Sequence, residues 1–203
     1  MTASPRSTLT VRRQLSPSQQ ARRQRILEAA TQLAARGGYE AVMMKDVARR
    51  AAVSLGTVYR YFASKDHLLA CALESWGRRL SRRLEAAPPR AGGPAERVAA
   101  VFQLMARGVE RQPELGVALT RALLSQDPSA LDNRDELRDM MRGWIDLALG
   151  DAEIPDRDGV TDVLQHVSFS SMVSLALGRA SPREVGRELE RATRLLLAGG
   201  RAG

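Results

Sequence analysis

From residue 18 onward the apolar positions recur at steps of three and four, the period of an α-helix with one buried face. The first such helix is predicted over Ser18–Arg36, with Ile26, Leu27, Ala30, Leu33 and Ala34 as its stripe. Gly37-Gly38 stop it, because glycine adopts the left-handed cap conformation cheaply. A short helix follows over Met44–Ala51, with Met44, Val47, Ala48 and Ala51 inward. Ala52-Val53 form a turn, and Ser54 caps a third helix that reaches Phe62. Ser64 caps a long helix to Leu84 with the stripe Leu69, Leu73, Trp76, Leu80, Leu84. At 1.5 Å per residue it spans roughly 30 Å. Residues 86–94, rich in Ala, Pro and Gly, are the one clear break. Further helical segments are expected over Pro94–Gln112, Pro113–Ser125, Asn133–Leu149, Val160–Arg179 and Pro182–Leu197. Strand alternation, hairpin signals and internal repeats are absent from the pattern. The expected fold is all-α: an N-terminal three-helix head (18–64), joined by the long helix to a C-terminal bundle (65–203).

Composition narrows the function classes. The 203 residues suffice for one ordinary domain or two small ones, and 44% hydrophobic with 27% charged residues is globular usage. No run approaches the ~18 apolar residues of a membrane span. The N-terminus lacks the apolar stretch of a secretion signal, so a cytoplasmic protein is expected, on the nucleoid when bound to DNA. A lone Cys71 excludes an internal disulfide framework and a cysteine-based metal site, and it reads as a small buried residue. The net charge of +8 lies in one place: residues 1–66 carry 12 basic and 4 acidic side chains, leaving 19 of each for the rest. That asymmetry points to a polyanion-binding N-terminal third. Residues 1–17, basic and acid-free, read as a flexible arm. A transit peptide has similar composition, but Pro5 and Pro17 oppose the amphipathic helix it needs.

Two short helices joined by a tight turn within a basic region describe a helix-turn-helix. Ser54 at the cap and Gly56 just inside leave the amides of the second helix uncrowded, and these favour phosphate. Val58 and Phe62 point to the core, while Leu55, Thr57, Tyr59 and Arg60 lie on the other faces. Thr57 and Tyr59 can donate to phosphates, Arg60 can reach guanine, and Leu55 can touch a thymine methyl. Lys65 begins the long helix, where charge and free amides again suit a phosphate. Arg22, Lys45 and Tyr61 complete the candidate DNA-facing set, with Tyr61 equally suited to packing within the head.

The string Val47-Ala-Arg-Arg-Ala-Ala-Val-Ser-Leu-Gly-Thr-Val-Tyr-Arg-Tyr-Phe-Ala-Ser-Lys-Asp66 closely resembles the TetR family of bacterial transcriptional repressors. The resemblance is strong over roughly residues 20–72, and the helix order agrees to the end. It implies an Ω-shaped homodimer with a DNA-binding head and a larger ligand-binding bundle, dimerised by the last two helices. Ala35–Val42, Gly56–Phe62 and Arg191–Leu197 are most similar to the KstR type, repressors of cholesterol catabolism. That similarity implies a bulky hydrophobic effector, a steroid or fatty acyl-CoA thioester. The family usually has glycine where this chain has Ala52, and a left-handed alanine there costs about 1 kcal/mol.

In the bundle, Phe102, Met105, Met140, Met141, Trp144, Phe169 and Met172 sit on apolar faces. Singly each is ordinary core; together, flexible methionines with aromatic residues suit a pocket that moulds to an apolar ligand. Val185, Leu189, Ala192 and Leu196 make a narrow stripe suited to a helix–helix seam, either internal or, with Val167 and Ser171, between two copies. His67 and His166 have no metal-ligand spacing, and no nucleophile elbow, phosphate loop or dinucleotide fingerprint is present. Catalysis, a metal and a cofactor are therefore not expected. The leading expectation is a ligand-responsive repressor on a palindromic operator, its half-sites one or more turns of ~34 Å apart. A DNA-binding activator or architectural protein without ligand control is the alternative. A helical enzyme or lipid carrier on an acidic membrane is a remote one.

Overall fold

A computed structural model describes residues 15–198, and within them the chain is helical throughout, apart from short connections. Helices α1 (Pro17–Gly37), α2 (Met44–Arg50) and α3 (Leu55–Tyr61) form the head. The body contains α4 (Lys65–Ala86), α5 (Pro94–Arg111), α6 (Pro113–Leu124), α7 (Leu131–Leu149), α8 (Arg157–Ala176) and α9 (Pro182–Ala198). One 3-10 turn, Pro128–Ala130, leads into α7. Most of the basic arm expected over 1–17, including Arg12 and Arg13, lies outside the described residues.

The helix ends follow local chemistry. Ser16 and Gln19 form a reciprocal capping box at the start of α1, and Gly38 at φ 67° ends it. Ser54 and Ser64 cap α3 and α4 by accepting from the backbone N–H three residues on. Two arginines serve the end of α7. Arg97 donates to the Ala148 and Leu149 carbonyls at 2.7 and 2.9 Å, and Arg157 to Gly150 O and Asp146 O.

Two apolar clusters organise the packing. The first joins Ile26, Leu27, Ala30, Val47, Val58 and Phe62 of the head. It is completed by Leu68, Leu69 and Ala72 of α4 and by Leu115, Ala118, Leu119 and Ala122 of α6. The head therefore shares its core with the body. The second cluster fills the bundle with Leu80, Leu84, Val98, Phe102, Trp144, Ile145, Leu164 and Leu189.

The turn between α2 and α3 places Ala52 at φ 52°, the left-handed conformation for which glycine is the usual residue. Val53 N–H bonds Ala48 O at 3.0 Å and Ala52 N–H bonds Arg49 O at 3.3 Å, the paired bonds of a Schellman end. The alanine is strained but held by the closed motif. Ala52→Gly is expected to raise unfolding free energy by about 0.5–1 kcal/mol. Denaturant midpoints measure it, and a lowered midpoint contradicts stored strain at this turn.

Candidate DNA interface and effector cavity

Helix α3 is buried on one side and bare on the other. Val58 and Phe62 are fully buried. Leu55 and Tyr59 are 42% and 51% exposed, and Gly56 and Arg60 are exposed beside them. A Cβ added at Gly56 would meet nothing within 4 Å, so the fold itself does not require glycine there. The missing side chain leaves that point of the helix open to the outside. Ser54 Oγ accepts from Thr57 N at 3.1 Å and shares a hydrogen bond with Thr57 Oγ1 at 2.8 Å. Ser54 is thus committed to capping, and the Thr57 hydroxyl has a local partner.

The remaining candidates divide. Lys45 stands exposed on the first turn of α2. Arg22 is half-buried on α1, and its neighbour Arg23 lies 5.3 Å from the centroid of the Phe62 ring, a packing role. Tyr61 packs against the head core, its hydroxyl buried and without a partner, with the Arg60 guanidinium 5.6 Å from its ring centroid. Tyr61 is therefore a head-packing residue. Lys65 does not reach outward: its ammonium sits 3.7 Å from the Tyr39 ring centroid and donates to Tyr39 O at 3.3 Å.

Tyr39 is the centre of a junction that sequence reasoning missed. Its hydroxyl donates to Asp66 Oδ1 at 2.5 Å, while Ser125 Oγ donates to Asp66 Oδ2 at 2.5 Å. Arg121 of α6 lies 4.4 Å from the Tyr39 ring centroid on this cluster and pairs with Glu40 at 3.1 Å. Burial and the bond to Asp66 raise the Tyr39 pKa far above a free phenol. A loop of the head, the start of α4 and the end of α6 are thereby tied together.

The other face of α6 lines a cavity. Leu115, Gly116, Leu119, Thr120 and Leu123 of α6 meet Leu73 and Trp76 of α4, with Met105 and Val109 of α5. Leu137, Met141, Trp144 and Met172 complete the wall. The cavity has a volume of about 120 Å³, below the ~300–1,000 Å³ of drug-sized ligand sites, so a bulky occupant must push its walls apart. The wall is nearly all apolar. Gly108 lets the Trp76 ring lie directly on the α5 backbone, since a Cβ there would stand 2.9 Å from Trp76 Cζ2. Trp144 is fixed by Nε1 donating to Ser81 Oγ at 2.7 Å.

Of the seven expected ligand residues, Met105, Met141, Trp144 and Met172 line this cavity. Phe102 does not: it is fully buried in the bundle core. Met140 packs against Gly77 on α4 instead. Phe169 is 51% exposed on α8, away from the cavity wall. The α9 stripe makes contacts inside the chain. Val185, Leu189, Ala192 and Leu196 pack within the chain, chiefly against α5, where Gly186 comes close to Ala106. Val167 packs on the same core, and buried Ser171 donates to Glu188 Oε2 at 2.8 Å. Val185, Leu189 and Ser171 are buried within the chain, and Val167, Ala192 and Leu196 are half-buried on it. Cys71 is buried as expected, and burial raises its thiol pKa.

A helix-turn-helix head sharing its core with a helical body that holds an apolar cavity defines the class of one-chain DNA-binding regulators. Residues 26–72 match the family model for bacterial regulatory proteins of the tetR family. Residues 92–196 match that for the tetracyclin repressor-like C-terminal domain. The chain belongs to the TetR family, whose members are transcriptional regulators rather than enzymes. It is 39% identical over 186 residues to the HTH-type transcriptional repressor KstR of Rhodococcus jostii, covering 91% of this chain and 87% of that one. A TetR regulator structure from Rhodococcus sp. RHA1 superposes with a TM-score of 0.77 at 29% identity, covering 90% and 99% of the two chains. Thermus thermophilus FadR, a TetR-family repressor in complex with lauroyl-CoA, gives 0.61 at 25% identity, covering 89% and 96%. Among the described residues no helix is long and apolar enough to cross a membrane.

Tyr39→Phe keeps the ring between its cations and removes one hydrogen bond to a carboxylate. It is expected to cost roughly 1–2 kcal/mol in denaturant unfolding; an unchanged midpoint would mean that the bond holds nothing together. His67 is half-buried, and burial, then Arg23, push its pKa below the ordinary value. The unfolded chain therefore takes up a proton more readily, so stability falls as pH drops below about 6.5. His67→Asn, retaining an acceptor for Ala63 N–H, is expected to flatten the stability profile between pH 7 and 5; an unaltered slope excludes His67 as its source.

Proposed function

We propose that this protein is a ligand-released repressor that binds a palindromic operator as a homodimer. Residues 18–64 read DNA, the arm at 1–17 adds phosphate contact, and residues 65–203 bind the effector and a second copy. The observation that carries this reading is the bare face of α3, with Leu55, Gly56, Tyr59 and Arg60 exposed over a closed core. A seven-residue helix presenting apolar and cationic groups outward suits the major groove. Arg60 reads a base, Leu55 touches a methyl, and Tyr59, Thr57, Lys45 and Arg22 hold phosphates. The repressor sign is taken from the KstR relative.

The apolar wall of the cavity supports a hydrophobic effector, and the likeness to KstR and to FadR with lauroyl-CoA favours a bulky one, a steroid or fatty acyl-CoA thioester, that widens the cavity on entering. Because α6 lines the cavity on one face and carries Arg121 and Ser125 on another, an occupant that shifts α6 also shifts the Tyr39–Asp66 junction. A hundredfold loss of DNA affinity needs about 2.7 kcal/mol of coupling. With the α9 stripe used internally, the face left for a second copy is the outer side of α8, where Val163, Phe169 and Leu177 are exposed, together with Leu195 of α9.

Fluorescence anisotropy on the intergenic DNA beside the protein's own gene tests this, with excess random DNA as competitor. Wild type is expected to bind specifically and to be released by one class of thioester. Arg60→Ala should weaken specific binding by roughly 1–3 kcal/mol while barely changing binding to random DNA. Tyr59→Phe should weaken both. Equal loss on both DNAs for Arg60→Ala contradicts base reading, and binding that ignores sequence and collapses with salt contradicts an operator-reading head.

A further inference from the structure

Four side chains of the cavity wall carry polar hydrogens: Trp76, Gln112, Thr120 and Trp144. Two of them are already committed. Buried Thr120 donates to Gly116 O at 2.9 Å, and the Trp144 indole donates to Ser81 Oγ at 2.7 Å. The side chains of the other two make no hydrogen bond among the described residues, and both meet one turn of α5. Gln112 ends that helix and is the one exposed residue of the wall, so it marks the mouth. The Trp76 indole nitrogen lies against the backbone four residues earlier, 3.8 Å from where a Cβ on Gly108 would stand.

A ligand oxygen can therefore find a donor at the turn from Gly108 to Gln112, and none deeper. The buried part of the wall is Met105, Leu115, Leu119 and Trp144, with the hydroxyl of Thr120 turned back onto its own helix. An oxygen carried past the rim loses its water and gains no donor, which weakens binding by roughly tenfold or more.

Size points the same way. A dry apolar hole of about 150 Å³ accepts benzene, so the 120 Å³ here accepts about five carbons before the walls move. Met105, Met141 and Met172 are the wall residues able to rotate aside for a longer occupant, because their side chains are unbranched. A thin chain displaces such side chains one at a time. A fused ring system fills the whole cross-section at once and requires the helices themselves to part.

We infer that the effector presents a carbonyl to the Gly108–Gln112 turn and an unsubstituted straight hydrocarbon chain to the interior. Of the two ligand classes proposed above, this selects a fatty acyl thioester and rejects an oxygenated steroid. The inference rests on the cavity being the effector site, and it adds which part of the ligand enters and which two side chains meet its oxygen.

Trp76 and Trp144 line the cavity and report occupancy by their fluorescence. The full-length protein is titrated with octanoyl-CoA, its thioether analogue S-octyl-CoA, 8-hydroxyoctanoyl-CoA, a 3-oxo-steroid acyl-CoA, and CoA alone. Octanoyl-CoA should bind about tenfold tighter than 8-hydroxyoctanoyl-CoA and the steroid thioester, and about threefold or more tighter than S-octyl-CoA, with CoA alone silent. Gln112→Ala and Trp76→Phe should each lose about threefold on octanoyl-CoA and leave S-octyl-CoA unchanged, Trp144 still reporting in the second. Thr120→Val should hold octanoyl-CoA within about twofold of wild type, because that hydroxyl serves its own helix. Steroid thioester or 8-hydroxyoctanoyl-CoA binding as tightly as octanoyl-CoA would overturn the inference and leave the cavity standing as the effector site. S-octyl-CoA equal to octanoyl-CoA would overturn it as well, because no carbonyl would then be read at the rim. These comparisons use the wild-type protein, so they decide even where a variant fails to fold. Silence of both tryptophans toward every probe would remove the effector site, and the inference with it.

Discussion

Asp66 accepts a hydrogen bond on each carboxylate oxygen, one from Tyr39 in the head and one from Ser125 at the end of α6. It sits on the first turn of α4, where a negative charge suits the helix dipole. Three elements distant in sequence are thus held by one side chain. Lys65 and Arg121, both close to the Tyr39 ring, reinforce the same point. Because Leu115, Ala118, Leu119 and Ala122 of α6 also sit in the head's core, the head has no independent floor. Displacement of α6 moves both the apolar floor and the polar tie.

The cavity gains its significance from that arrangement. Its wall includes one face of α6, so the helix that closes the head is also the helix a ligand would push. No hinge of flexible chain intervenes, since α4 runs unbroken from the head into the bundle. A regulator built this way can transmit a small displacement, because packed cores have discrete arrangements and do not deform smoothly.

The fold was legible in the sequence to a residue or two at most helix ends, because serine caps, Gly-Gly and prolines mark them. The left-handed Ala52 was legible too, from a glycine expected by family and absent. The site was legible in part. The outward face of α3 followed from period alone, but the roles of Lys65 and Tyr61 did not: side chains on a helix start can point inward or outward, and only the neighbouring Tyr39 and the head core decide. Periodicity marks a buried face without saying what buries it. That is why the α9 stripe, which packs on α5, read equally well as an intermolecular seam. It is also why Phe102 and Met140 could not be told from Met105 and Met141. The cavity wall from α6 was missed because that helix is apolar on two sides, one toward the head and one toward the cavity. Its Leu-Gly-Val-Ala-Leu-Thr run was the available signal.

The measurement that tests the account most directly is the affinity of one acyl-CoA or steroid thioester for the protein, free and bound to its operator. If the cavity and the head are joined through α6, the operator-bound protein binds that ligand at least tenfold more weakly. By linkage, saturating ligand weakens operator binding by the same factor. Equal ligand affinity in the free and operator-bound protein would contradict the account, because the cavity and the DNA face would then be energetically separate.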